Sequence, residues 1–446
     1  MAKRMLSLGM LALLLASLVV ACRAAPTPTP AATATPGPAT PTPVVGPSPT
    51  PAATPTPAPR TPTPAPTPGV ERVVTFLTVA DFTGLTAVLS APAVLGADDY
   101  FKWINEQGGV EGVKIKHFMP DARYDVARAV SAYNRYKTEP KFMHVWLHST
   151  PATKALRPIV EKDKVLTQAV ADGENQALLG YIYVAGPSYQ DMFGAVMDWA
   201  LADWKKKGKA GTPTFGYIAW DSPYGREALL GGQEYADKLG IKIVRQEFFP
   251  VGTPDHTAYL LRLRDAKVDY IFMGAPDPAG PAVLRDADKL GMLKDFTFMP
   301  DIWTLSKPGL KLRPELVEGL TIVGGFIRGE DSEKSFAGEL YRKYRGDPVD
   351  MSELYIVGVA AAHIPVEALR QALKEVGYDR LTSEDVYRNF LKIKDLDNRG
   401  LMNKYNFSAT ERRGSKFVKF YQAKAGKWVS VSDWIPAPDT VALRKW

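Results

Sequence analysis

A strand, a polar loop, a helix and a second strand occur twice in this chain, in the same order. Val113-Lys114-Ile115-Lys116-His117-Phe118 leads through Asp121 and a helical stretch, Asp125 to Tyr136, to Phe142-Met143-His144-Val145-Trp146-Leu147. Ile241-Lys242-Ile243-Val244-Arg245-Gln246, a strand continuing to Phe249, leads through Asp255 and a helix over His256 to Asp265 to the strand Val268 to Met273. Strands that alternate with helices form parallel sheets covered by helices, because a parallel connection must cross over the sheet face. The spacing also predicts a buried strand at Val73 to Val79 and a helix carrying Ala93, Ala97, Tyr100, Phe101 and Ile104, stopped at Gly108-Gly109. A further strand at Thr214 to Trp220 precedes a helix at Arg226 to Leu239. The duplication implies two lobes of similar topology. Ligands of such sheets bind beyond the carboxyl ends of the strands, and between two lobes that crevice is a cleft able to close.

The first seventy residues are of another kind. Of 37 prolines, 17 fall between Pro26 and Pro68, and Val44 and Val45 are the only large apolar residues there. Such a segment buries too little surface to offset chain entropy and is expected to stay unfolded as a polyproline II tether. Before it, Lys3 and Arg4 precede an apolar run from Met5 to Ala21. That is the layout of a signal peptide, expected over 1–21. Leu18-Val19-Val20-Ala21-Cys22 resembles a bacterial lipobox, and Cys22 is the chain's single cysteine. The resemblance implies a diacylglycerol on Cys22, a tether over 22–68, and an extracytoplasmic protein anchored to the membrane by lipid.

Charge and motifs narrow the function. The formal net charge of +7 includes Lys3, Arg4, Arg23 and Arg60, so the remainder carries 7 − 4 = +3. That near-balance argues against a nucleic-acid binder, whose Lys and Arg would cluster. Lys205-Lys206-Lys207 reads as a solvated helix end. Five histidines and one cysteine exclude a cysteine-rich zinc module and a disulfide framework. No phosphate-loop, zinc-protease or nucleophile-elbow motif is present, so no cofactor, no metal and no catalytic residue is expected. The Gly pairs at 108, 231 and 324 read as helix stops and close packing. His148-Ser149 lacks the surroundings of a triad and reads instead as part of a ligand-holding loop. Strand Phe142 to Leu147 ends at His148-Ser149-Thr150-Pro151, and a helix follows. Free N–H groups at a helix start, with Ser and Thr hydroxyls, suit a carboxylate.

Here a resemblance becomes specific. Thr83-Gly84, Ile104-Asn105-Glu106-Gln107-Gly108-Gly109-Val110-Glu111-Gly112 and Asp121 look like the first lobe of periplasmic leucine/isoleucine/valine-type substrate-binding proteins. Asp221-Ser222-Pro223-Tyr224-Gly225-Arg226, Asp255, Val268 to Gly274, Leu284-Arg285 and Leu290-Gly291 resemble the second. The likeness runs from Val73 to about Trp428. It implies a type I periplasmic binding fold over 69–446, with two Rossmann-like lobes of parallel sheet around a ligand cleft and three crossovers. Lobe one would hold about 70–189 and 323–400, lobe two about 190–322 and 401–446.

The same resemblance implies a binding protein rather than an enzyme, taking an amino acid or a related carboxylate or amide for an ABC importer. Its partners would be the small ligand and the permease, with the chain a monomer. A receptor that signals to a partner instead is the alternative. For ligand contacts the resemblance points to Ser149 and Thr150, to Ala171 in the loop Ala169-Val170-Ala171-Asp172-Gly173, and to Tyr224. Tyr189, Trp220 and Trp303 fall at strand-end loops and offer aromatic surface. The acid that meets the ligand ammonium in this family is replaced by Ala279, and Asp277, two residues earlier, is the substitute nearest in sequence.

Overall fold

The computed structural model describes residues 71–171, 179–312 and 314–444. Signal segment, Cys22, tether and the Asp172-Gly173 part of the second loop lie outside the described residues.

Five strands form the first sheet: β1 (Val73–Val79), β2 (Lys114–Phe118), β3 (Phe142–Leu147), β4 (Leu166–Ala169) and β5 (Ile182–Val184). Their order is β2-β1-β3-β4-β5, all parallel. The second sheet holds β6 (Thr214–Trp220), β7 (Lys242–Phe249), β8 (Tyr270–Gly274) and β9 (Thr297–Pro300), again parallel, in the order β7-β6-β8-β9. The continuous apolar runs of β1, β3, β6 and β8 follow from burial on both faces, since helices cover each side of a parallel sheet.

The helix Ala87–Glu106 ends at Gln107, after which Gly108 and Gly109 take positive φ. It packs along Glu353–Arg380 at a distance that only glycine allows. A Cβ on Gly358 would lie 1.7 Å from the Ala93 carbonyl oxygen, and one on Gly96 would lie 2.1 Å from that of Tyr355. Asp125 caps the helix Val126–Tyr136 by accepting from the Arg128 N–H.

Two features differ from the sequence reading. The helix expected at Arg226 to Leu239 is two helices, Pro223–Glu227 and Leu229–Leu239, with non-helical backbone at Leu230 and Gly231. A third, antiparallel sheet joins β10 (Thr321–Gly324), β11 (Phe417–Lys424) and β12 (Lys427–Ser430), and β13 (Ile435–Pro436) also pairs with β11. β10 lies beside β9 and spans the boundary drawn between 322 and 323.

The chain passes between the two parallel sheets three times. It leaves β5 for the helix Tyr189–Lys206, which packs on β8 and β10. It returns after β10 to Phe336–Tyr344 and Glu353–Arg380, and departs again after Ser383–Phe390 to reach β11. Among the described residues, no helix is long and apolar enough to cross a membrane.

Candidate functional site

The carboxyl ends of the two parallel sheets face one cavity of about 40 Å³, room for a few waters. Ser149, Thr150, Tyr189, Tyr224 and Trp303 line it. Thr86, Leu89, Tyr124, His148, Val170 and Pro276 complete the wall.

The loop after β3 is shaped by capping chemistry. Ser149 is extended (φ −158°, ψ 119°), and its hydroxyl accepts from the Ala152 N–H at 3.4 Å at the head of the helix Thr150–Asp163. Its carbonyl accepts from Thr153 N and Thr153 Oγ1, both at 2.9 Å. The capping bond on Ser149 is long, so its oxygen retains capacity for a ligand. Pro151 has no N–H and those of Ala152 and Thr153 go to Ser149, so the Thr150 N–H and the positive helix end are what favour an anion here.

Beside it, His148 Nδ1 is 3.0 Å from Ser90 Oγ, while Nε2 has no partner. Burial lowers the imidazole pKa to about 4, so it is neutral at neutral pH. Its hydroxyl partner is Ser90, which is fully buried and lies outside the cavity wall, rather than Ser149. Asp81 positions Thr86 by accepting from Thr86 N at 2.8 Å and Thr86 Oγ1 at 2.9 Å.

The opposite wall is aromatic. Trp303 Nε1 donates to Tyr189 Oη at 2.9 Å, and Tyr189 meets Tyr224 edge to face at 5.2 Å. Behind them lies Asp301, a buried carboxylate at the end of β9. It accepts from the Tyr224 hydroxyl, from Trp303 N at 3.0 Å and from Thr304 Oγ1 at 2.8 Å. Burial raises its pKa to about 6, against the opposing effect of those hydrogen bonds. At neutral pH this is a negative charge one hydroxyl away from the cavity, and its field favours a positive group on the ligand.

Two salient contacts hold the walls together. Lys154 Nζ, on the helix after β3, meets Glu227 Oε2 at 3.0 Å, on the helix after β6. Gln190 Nε2 donates to the other oxygen of Glu227 at 2.9 Å. Tyr124 and Trp220 also touch across the cleft, ring centroids 6.1 Å apart. The cleft is closed.

Of the residues singled out from sequence, five come together in the cavity wall and three do not. Trp220 is fully buried and stands edge-on behind Tyr224 and Tyr124. The Asp277 carboxylate accepts from Ser306 N at 3.2 Å and from Ser306 Oγ, and it is not among the lining residues. Ala171 lines a neighbouring cavity, and its carbonyl accepts from Tyr189 N at 2.8 Å. Sequence reasoning missed Asp301, although it stands two residues before Trp303 at a strand end. It also missed Tyr124, which follows Asp121 in the loop after β2.

The profile of a family described as Periplasmic binding protein matches residues 74–427. The Leu/Ile/Val-binding protein homolog 1 of Brucella suis is 24% identical over 300 residues, 66% of this chain and 76% of the relative. Its counterpart in Brucella abortus is 23% identical over 299 residues, again 66% and 76%. Among solved structures, a branched chain amino acid ABC transporter from Thermus thermophilus with bound valine superposes with a TM-score of 0.74. It has 24% identity over 83% of this chain and 98% of that one. A fatty acid ABC transporter substrate-binding protein from Thermomonospora curvata gives 0.73, with 24% identity over 84% and 95%. A solute binding protein from R. palustris in complex with benzoate gives 0.68, with 14% identity over 83% and 98%. These structures share the fold of this chain, and the two described with a bound molecule hold different ones, valine and benzoate.

Proposed function

Since this chain belongs to the periplasmic binding protein family, we propose that it captures a small organic solute outside the cytoplasm and delivers it to the permease of an ABC importer. The family binds solutes and does not transform them, so function rests on the equilibrium between open and closed clefts. The observation that carries the reading is the cavity at the carboxyl ends of two parallel sheets, with Ser149 and Thr150 on one side and Tyr224 and Trp303 on the other. A solute touching both sides stabilises the closed form, and that form is the one a permease can recognise. Lobe one comprises about 70–189 and 323–400, and lobe two about 190–322 and 401–446. A lipid on Cys22 and the proline-rich tether hold these lobes at the membrane surface.

The solute bears a carboxylate, bound at the start of Thr150–Asp163, and is an amino acid or a related carboxylate or amide. The relatives named for leucine, isoleucine and valine, and the valine-bound neighbour, support the amino-acid form. Asp301 behind Tyr224 supports it too, because it supplies the negative charge that Ala279 lacks. The aromatic wall and the benzoate-bound neighbour support flat acids. A thermal-shift panel of Leu, Ile, Val, benzoate and phenylacetate tests the reading, since a ligand at 100 times its Kd adds about 2.7 kcal/mol. The reading expects at least one of these carboxylates to raise Tm. If none does at millimolar concentration, the solute is neither a branched-chain amino acid nor a flat monocarboxylate.

A further inference from the structure

Next to the ligand cavity lies a second one of about 30 Å³, with Val170 and Trp303 as the common wall. It sits where the chain passes between the lobes, lined among others by Pro187 and Phe326. Its other wall comes from β3 and β4, where Trp146 and Gln168 are register partners. Trp146 Nε1 is buried with no acceptor. Gln168 is also buried, and its Oε1 accepts from Tyr183 Oη at 3.0 Å.

A buried donor without an acceptor is expensive to keep in a protein interior, and Trp146 Nε1 beside the Gln168 amide marks a place for an oxygen. A fixed positive charge lies behind the part of the wall formed by Phe326 and Ile302. Arg328 is fully buried, its guanidinium lies 4.4 Å from the centroid of the Phe326 ring, and its Nη2 donates to the Ile302 carbonyl at 2.9 Å. Both Phe326 and Ile302 line this second cavity. Asp301 and Glu353 offset part of that charge.

We propose that the solute site continues past Trp303 into this second cavity, and that the solute carries a second oxygen-bearing end, a carboxylate or primary amide, which accepts from Trp146 and Gln168. The inference rests on the reading of the first cavity as a carboxylate site. The solute is then two-ended, with one end on Ser149 and Thr150 and an apolar stem passing beneath the Trp303 indole. Trp303 sets the length it admits. Its indole N–H donates to Tyr189, and a turn of the ring, the shared wall of the two cavities, would join them.

The test uses the full-length protein and two chain-matched sets: hexanoate, adipate and adipamate, then norleucine, 2-aminoadipate and homoglutamine. Within each set only the distal end changes, and across the sets only the ammonium. Titration calorimetry should rank adipate or adipamate at least tenfold tighter than hexanoate, or the corresponding amino acids tenfold tighter than norleucine, about what one hydrogen bond to a charged group gives. Trp146→Phe, which keeps a ring and removes the N–H, should erase most of that preference and leave hexanoate or norleucine within about twofold. Gln168→Met gives a second reading should Trp146→Phe fold poorly. Equal affinity within each set would mean that waters fill the second cavity, and the two-ended solute is then wrong while the carboxylate site stands. Binding by no member of either set overturns both readings.

Discussion

Asp301→Asn isolates the buried charge behind the cleft. The carboxyl has a pKa of about 6 in the folded protein and 3.8 as its ordinary value. Below about pH 4 it is protonated in both folded and unfolded chains, and burial costs little. Between the two values the unfolded chain ionises first. Above about pH 6 both are charged, and the folded state bears the full cost of the rise from 3.8 to about 6, about 3 kcal/mol. Stability from this group is therefore present at low pH and lost as pH rises through about 6, opposite to a salt-bridged carboxylate. Asparagine has nothing to titrate. Its effects on the Tyr224, Trp303 and Thr304 hydrogen bonds are the same at both ends of the range and cancel in a difference. Urea melts of wild type and variant at pH 4 and pH 7.5 should show the gap moving in the variant's favour by about 2 kcal/mol. For about 370 folded residues that is roughly 3 °C in Tm. His148, whose pKa falls to about 4 on burial, titrates in both proteins and drops out. Parallel stability curves would refute the buried, proton-binding carboxylate. At pH 7.5 the same variant should also lose affinity for solutes bearing an ammonium and keep it for plain acids.

Cys22→Ser should abolish labelling by fatty acid and move the protein from membrane to soluble fractions; labelled protein persisting in the variant excludes the anchor. A fragment starting at Gly69 should match a fragment starting at Arg23 in Tm and solute affinity by calorimetry, because the intervening residues carry almost nothing to pack. Thr150→Ala should weaken solute binding tenfold to a hundredfold, about 1.5–3 kcal/mol for a hydrogen bond to a charged group, with an unchanged circular dichroism melt. Unchanged affinity would remove Thr150 from the site.

Strands β1, β3 and β6 could be read from the chain to the residue, because strands covered on both faces are written as near-continuous apolar runs. The antiparallel sheet could not. β10 is four residues long and pairs with a strand nearly a hundred residues later, and nothing local marks such a pairing. The break at Leu230–Gly231 was hidden for the same reason: the C-terminal segment packs there, with the Thr440 carbonyl 2.2 Å from where a Gly231 Cβ would be. In the site, Ser149 and Thr150 were legible because helix capping is local chemistry. Trp220 and Trp303 look alike in sequence, each an aromatic at a strand end. One faces the cavity and the other the core, a difference fixed by the strand's twist and its neighbours. Asp301 was missed because an acid after a strand ordinarily reads as solvated, and only the folded chain reveals the Tyr224 and Thr304 hydroxyls around it.

The Lys154–Glu227 contact has a consequence for affinity that does not involve the solute at all. Glu227 is fully buried and takes donors from both Lys154 and Gln190. In the proposed two-lobe arrangement the Gln190 bond lies within lobe two, whereas the Lys154 bond exists only while the lobes are together and so helps set how often the empty protein visits its closed form. A solute that binds the closed form has an apparent Kd equal to its intrinsic value divided by that population. Loosening this clasp would then scale the Kd of every solute by one common factor and leave their rank order untouched. The pocket decides which solute is preferred, and a pair of side chains outside it decides at what concentration any of them is held.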